Sequence, residues 1–260
     1  MRKDYHMHPR VIEGDERFER FAAEAVKKGI TEVCITDHMP LSISSASDRI
    51  PKGRVGEYCR RVRELSERYN GIIDIKCGIE IDYHPSVIGE IEEVLSEGKF
   101  DYVLGSSHMH LFIKDFENYS FNGFAETALE NAVRAAETGW FSTISHPDMY
   151  RFAYSNRERF PFYGEPYDVL KHEALIKELI GRVAEKKMRM EINPHLAEHF
   201  KGDLFYTYPQ AEILRWATEK GVKFTYGSDA HKAESVGALL SELEAHPLYG
   251  KAIKEWEEEK

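Results

Sequence analysis

The side chains able to do chemistry fall in seven short groups spread along the chain. They are His6-Met7-His8, Asp37-His38, Glu80-Ile81-Asp82, His108-Met109-His110, His146-Pro147-Asp148, Glu191-Ile192-Asn193 and Asp229-Ala230-His231. Imidazoles and carboxylates dominate, without thiolates. That donor set suits Zn, Mn or Fe, and it offers more ligands than one four-coordinate ion uses. In His6-x-His8 the period-two alternation of an extended chain turns both imidazoles to one face. Each group alone has a plain explanation: Glu80 as a strand-end carboxylate in water, Asp229-Ala230-His231 as a turn and helix cap. Seven repeats of one chemistry point instead to a shared site for two or three divalent ions. Two ions about 3.5–4 Å apart stabilise the attacking and leaving oxygens of a phosphoryl displacement and make hydroxide available near neutral pH.

The elements around these groups explain how they can meet. Apolar, β-branched runs at 3–8, 31–37, 72–81, 101–109, 141–146, 188–193 and 222–228 read as strands, and each delivers one group at or just past its end. Helical periodicity fills the intervals. It is clearest in Phe18, Phe21, Ala22, Ala25 and Val26, a stripe that Gly29 is placed to end. Further helices are predicted near 54–69, 86–97, 124–138, 167–186, 209–220 and 235–244. Strand–helix alternation predicts parallel strands with crossover helices. Seven such units favour an α/β fold closed as a distorted (β/α)7 TIM-like barrel over an open doubly wound sheet. In a barrel the C-terminal strand ends share one mouth, which is where the groups fall. The stretch 147–166, rich in aromatic and Arg residues, is expected to form a loop over that mouth.

Bulk properties bound the rest. A chain of 260 residues, 42% hydrophobic and without low-complexity tracts or linkers, is expected to form a single domain over 1–260. No run approaches the roughly 20 apolar residues of a membrane span. The N-terminus runs straight into the first strand with no secretory signal, so a cytoplasmic location without a membrane partner is expected. A net charge of −10 argues against nucleic acid as a partner. Cys34, Cys59 and Cys77 show no CxxC spacing, and Cys34 and Cys77, which lie in apolar runs, are expected to be buried, reduced thiols. Charged residues reach 31% and Gln210 is the sole glutamine, a bias that resembles thermophile composition. Oligomeric state is not legible.

The motif set resembles the PHP (polymerase and histidinol phosphatase) superfamily. The matching residues are His6-Met7-His8, Thr36-Asp37-His38, Gly78-Ile79-Glu80, Ser107-His108, His146-Pro147-Asp148, Glu191-Ile192-Asn193 and Gly227-Ser228-Asp229-Ala230-His231, in order over nearly the whole chain. The stretches Asp101-Tyr102-Val103-Leu104-Gly105-Ser106 and Glu80-Ile81-Asp82-Tyr83 are most similar to the stand-alone histidinol-phosphatase branch. The resemblance implies the distorted seven-stranded barrel counted above. It also implies a trinuclear centre, with His6, His8, Glu80 and Asp229 at one metal and Glu80 bridging to a second held by His108 and His146. His38 and His231 would hold the third. The family's further ligand for that third metal falls on Gly14 here. Glu13 is the expected substitute, Asp15 being equally suited to cap the first helix.

The resemblance further implies a metal-dependent phosphatase for a small phosphorylated substrate, with L-histidinol phosphate, in histidine biosynthesis, as the expected one. A PHP nuclease or protein-tyrosine phosphatase is the alternative, and a non-catalytic metal-binding module the third reading. Glu80, Asp229 and His195 are the expected catalytic residues, His195 as phosphate ligand or proton donor to the leaving alkoxide. Arg151 stands where that branch has a phosphate-binding arginine. His110 is expected to line the pocket, Glu191 or Asp82 to meet the cationic amine, and Glu191 and Asn193 to shape the site. Asp37 and Asp148 are expected to orient imidazoles. His84, His172, His199 and His246 are assigned to surface or structure.

Overall fold

The apolar runs do become strands, and each pairs in parallel with its neighbours in sequence. They are β1 (Arg2–Asp4), β2 (Ile30–Ile35), β3 (Asp74–Asp82), β4 (Tyr102–Ser106), β5 (Thr143–Ile144), β6 (Arg189–Ile192) and β7 (Lys223–Tyr226). The structure, a computed structural model, describes residues 1–42, 49–108, 112–113, 118–155 and 168–259. His110 and residues 156–166 of the expected loop lie outside these. Residues 151–155 form a short helix instead.

The sheet closes on itself. Regular pairing of β1 ends at Asp4, but the chain runs on beside the end of β7. Tyr5 N donates to Tyr226 O (3.0 Å), Asp229 N to His6 O (2.8 Å) and His8 N to Ala230 O (2.8 Å). Buried Asp4 reinforces the seam, accepting from Ser228 N and Gly237 N at 2.9 Å each. The predicted strand 3–8 is therefore real in direction, but its second half serves the closure rather than a regular ladder.

The helices are α1 (Asp15–Lys27), α2 (Val55–Arg68), α3 (Ile88–Glu97), α4 (Phe121–Thr138), α5 (Arg151–Ser155), α6 (Glu173–Glu185), α7 (His195–His199), α8 (Ala211–Glu219), α9 (Leu240–Ala245) and α10 (Tyr249–Glu257). In α1 Phe18, Phe21, Ala22 and Ala25 are buried, whereas Val26 is 46% exposed. Eight residues at about 100° each leave Val26 about 80° away from Phe18, enough to turn it out of the stripe. Gly29, at φ +70°, ends that helix in the left-handed region glycine tolerates. Ser120 accepts from Gly123 N and starts α4 three residues earlier than periodicity suggests.

Helix α10 was not anticipated. Its Tyr249, Ala252, Ile253 and Trp256 form a buried stripe. Lys3 Nζ sits 5.5 Å from the Trp256 ring, and Glu259 just beyond the helix pairs with Lys223 and Arg189 at the starts of β7 and β6. The chain end thus plugs the barrel end opposite the histidines. No described helix is long and apolar enough to cross a membrane.

Candidate metal centre

Glu80, delivered by the C-terminal end of β3, is the hub of the mouth. It is 1% exposed and faces five imidazoles. Its Oε2 lies 2.8 Å from His38 Nδ1, 3.4 Å from His6 Nε2 and 3.5 Å from His8 Nε2. Its Oε1 lies 3.0 Å from His146 Nε2 and 3.9 Å from His108 Nε2. Asp229 supplies the second carboxylate, with Oδ1 3.1 Å from His8 Nε2, 3.6 Å from His6 Nε2 and 3.5 Å from His231 Nδ1. The His8 ring stacks on His38 at 4.1 Å and lies 4.4 Å from His231.

These side chains form overlapping trios whose ligand atoms lie within 4.8 Å of one another: His6, His8 and Glu80; Glu80, His108 and His146; His8, His38 and His231; His195, Asp229 and His231. His6 Nε2, His8 Nδ1 and His146 Nδ1 are buried without a hydrogen-bonding partner, and Glu80 Oε2 has His38 Nδ1 alone within 3 Å. An unsatisfied buried polar atom costs about 1–3 kcal/mol. Gathered imidazole nitrogens around an ionised carboxylate are donors fit for divalent cations, which would satisfy them together.

Two further carboxylates aim the rings. Glu191 Oε1 lies 2.7 Å from His6 Nδ1, and Asp82 Oδ1 pairs with His108 Nδ1. In each ring this leaves Nε2 toward the cluster. The sequence reading gave that task to Asp37 and Asp148, and the structure corrects it. Asp37, its pKa pushed up to about 6 by burial, accepts the backbone N–H of Arg10 and Val11 at 2.8 and 3.0 Å and fixes the chain after His8. Asp148 accepts from Arg151 and from Gln210 N, both at 3.0 Å.

Glu191 is likewise corrected. It is buried beneath the cluster, its second oxygen accepting from His146 N (2.9 Å) and Asn193 Nδ2 (3.1 Å), so it does not face a substrate amine. Asp82 is fully buried too, its other oxygen 2.6 Å from Arg49. Glu13, expected at the third metal, is not brought to the cluster. A single 3-10 turn over Val11–Glu13 leaves its side chain 48% exposed and 3.2 Å from Arg10 Nη1. Asp15, the other candidate, pairs with Arg61 and Arg68. Among the described residues, the His8, His38 and His231 trio has no carboxylate beyond the shared Glu80 and Asp229.

Arg151 is 3% exposed. Its Nη1 donates to Asp148 and to Thr207 O (3.1 Å), its Nη2 to Phe205 O, and its guanidinium lies over the rings of Phe205 and Tyr208. His195 opens α7 at the rim, with its backbone N on Asn193 Oδ1 and its ring 5.6 Å from His231. Of the minor histidines, His172 is buried, while His84 is partly exposed, stacked on Phe112. Cys34 and Cys77 are buried and free, as the sequence indicates, and so is Cys59.

The backbone stores strain at this site. His146 and Asp229 sit at φ 23° and 56°, a region costing non-glycine residues on the order of 1–3 kcal/mol. Both are pinned through their N–H groups, to Glu191 and to His6 O. Gly227 is required by crowding, since a Cβ there would overlap Glu191 Oε1 and the His6 Cβ. Electrostatics keeps the carboxylates ionised. Burial alone would raise Glu80, but His6, His38 and His108 pull it well below the ordinary range; Asp229 is held low against burial by His6 and His195.

The sequence matches the PHP domain over residues 4–195 and a PHP-associated segment over 210–248. The chain belongs to the PHP family. A probable histidinol-phosphatase of Deinococcus radiodurans is 26% identical over 227 residues, 84% of this chain and 81% of that protein. A histidinol-phosphatase of Bacillus subtilis is 24% identical over 263 residues, 91% of this PHP chain and 96% of the relative. Among solved structures, histidinol phosphate phosphatase of Lactococcus lactis, complexed with Zn, L-histidinol and phosphate, has a TM-score of 0.76 at 20% identity. The match covers 96% of this chain and 93% of that one and bears on the fold. The PHP-associated segment contains β7 and Asp229, so both matched segments contribute to one barrel and one cluster.

Proposed function

We propose that this PHP chain is a metal-dependent phosphatase that converts L-histidinol phosphate to L-histidinol and phosphate, in histidine biosynthesis. The observation carrying the phosphatase reading is Glu80, an ionised carboxylate ringed by five imidazoles with unsatisfied buried ligand atoms. The substrate follows the names of the relatives along most of the chain. His6, His8, Glu80 and Asp229 would hold one ion, Glu80, His108 and His146 a second, and His38 with His231 and His8 a third, weaker one. Divalent ions bound there supply a water acidic enough to act as nucleophile near neutral pH and positive charge for the phosphate oxygens.

The residues do the rest. Glu80 and Asp229 stay ionised and fix the charge of the centre. Glu191 and Asp82 hold the His6 and His108 rings in one orientation, so the site is organised before substrate arrives. Burial lowers the His195 pKa, so its ring is neutral at pH 7 and offers one N–H donor at the rim. We assign it a hydrogen bond to the departing oxygen. Arg151, expected to bind phosphate, is buried and paired with Asp148, Thr207 O and Phe205 O, so we assign it to holding the wall of the site rather than to the phosphate.

Phosphate release from L-histidinol phosphate, a phosphotyrosyl peptide and p-nitrophenyl phosphate, each with Zn, Mn and Fe, tests this directly. Preference for L-histidinol phosphate is expected. Turnover of the other esters without it would overturn the substrate, and no turnover of any by metal-loaded protein would overturn the phosphatase.

A further inference from the structure

Arg49 belongs to none of the seven groups, yet it is tied to two of them. Its backbone bridges His38, and Ile50 N donates to His38 O at 2.9 Å. Its side chain, 8% exposed, reaches the end of β3, where Nη2 lies 2.6 Å from Asp82 Oδ2 and Nη1 donates to Met39 O at 3.1 Å. The other oxygen of Asp82 holds His108 Nδ1, and His108 Nε2 points at Glu80 Oε1, 3.9 Å away. Guanidinium, carboxylate, imidazole and cluster are thus in direct succession.

The chemistry of this succession is specific. A carboxylate oxygen held by one guanidinium nitrogen, with the other nitrogen anchored on Met39 O, is restrained in rotation, so its second oxygen has a preferred direction. An imidazole that donates from Nδ1 to a fixed acceptor is locked into the tautomer with a lone pair on Nε2, the form a metal needs. A buried ion pair is a weak source of stability, often replaceable by apolar residues without loss. Stability alone therefore gives no reason for this pair to end on a ring of the cluster. The partner of His6 is held differently: Glu191 is fixed by the neutral donors His146 N and Asn193 Nδ2.

We propose that Arg49 and Asp82 are positioning residues for the ion that Glu80, His108 and His146 would hold, acting through the orientation of the His108 ring. The proposal rests on the reading of that trio as a metal site. It assigns Arg49 a function through two intermediaries, without contact with metal or substrate.

The test uses the full chain. Zn affinity is measured by competition with a chromophoric chelator, and the histidine tautomers of the Zn-loaded protein by 15N NMR. In Asp82→Asn, one bound Zn equivalent is expected to weaken about 10- to 100-fold, the others to stay within twofold, and the His108 Nδ1–H signature to change. Arg49→Met should do the same to a smaller degree, with Arg49→Lys partly restoring it. If Arg49→Met does not fold, the double variant Arg49→Met/Asp82→Asn leaves no lone buried charge and should show the same selective loss. All Zn equivalents within twofold of wild type and an unchanged His108 tautomer would overturn the proposal. A wild-type chain that takes up no Zn, Mn or Fe would instead bring down the underlying metal reading and this inference with it.

Discussion

At the scale of single residues, the site is a balance of charges that only cations can complete. Replacing Glu80 with Gln removes the anion that five imidazoles share. Metal content should fall by at least one equivalent and phosphate release by at least about 10²-fold, checked by elemental analysis and steady-state assay. In the metal-free protein burial pushes His6, His38 and His108 down, but neighbouring carboxylates lift all three above their ordinary 6.5. Their folded pKa values are raised, so the stability they contribute is complete below pH 6.5 and fades as pH climbs through the folded values. Glu80 and Asp229 are depressed from 4.5 and 3.8, so their contribution is complete above pH 4.5 and is lost as pH falls below it. Metal uptake requires neutral imidazoles and expels those protons. The rise in melting temperature caused by Zn should therefore grow from pH 6 to pH 8; a rise that shrinks over this range would contradict the charge assignment. Arg151→Ala leaves Asp148 buried and unpaired, and should cost about 3–5 kcal/mol in denaturant unfolding.

At the scale of elements, the strands were legible because each is an apolar run closed by a polar group, and the helices because their stripes repeat every three to four residues. What escaped the sequence has physical causes. The α10 stripe of Tyr249, Ala252, Ile253 and Trp256 is present in the sequence, but it follows no strand and so falls outside the strand–helix alternation. Glu13 looked like a ligand because its type and position suit one; the turn that withdraws it is a matter of backbone geometry. Glu191 and Asp82 were seen as polar groups at strand ends, but that both lie beneath the rings rather than facing the substrate depends on how far each strand extends into the mouth. Arg49 carried no motif at all. Trp256→Ala empties the plug beneath the barrel and should destabilise by about 3–5 kcal/mol while leaving metal content per folded molecule unchanged. Gly227→Ala reaches the site itself. Its Cβ would displace Glu191 and His6, so metal content per folded molecule and turnover should drop together with about 1–3 kcal/mol of stability, as read by elemental analysis and calorimetry.

At the scale of the whole molecule, the histidines and carboxylates of the candidate centre come from six described strands and the segments after them and converge on one mouth, so ions bound there would be linked to folding. A ligand at 100 times its Kd stabilises the folded state by about 2.7 kcal/mol per site. Stripping the ions with a chelator should lower the melting temperature by several degrees, and Zn should restore it; equal melting with and without chelator would separate the ions from the fold.

The seam between the two ends of the chain also sets a clock. His6 and Asp229 are joined by backbone hydrogen bonding, yet 222 residues lie between them. At about 5–20 residues per second, a ribosome needs roughly 11–45 s to travel from one to the other. Through that interval the nascent chain displays its histidines one after another with no closed mouth to arrange them. Tight metal capture thus belongs to the finished polypeptide, and a truncated product ending before Asp229 would be recognisable by the zinc it fails to keep.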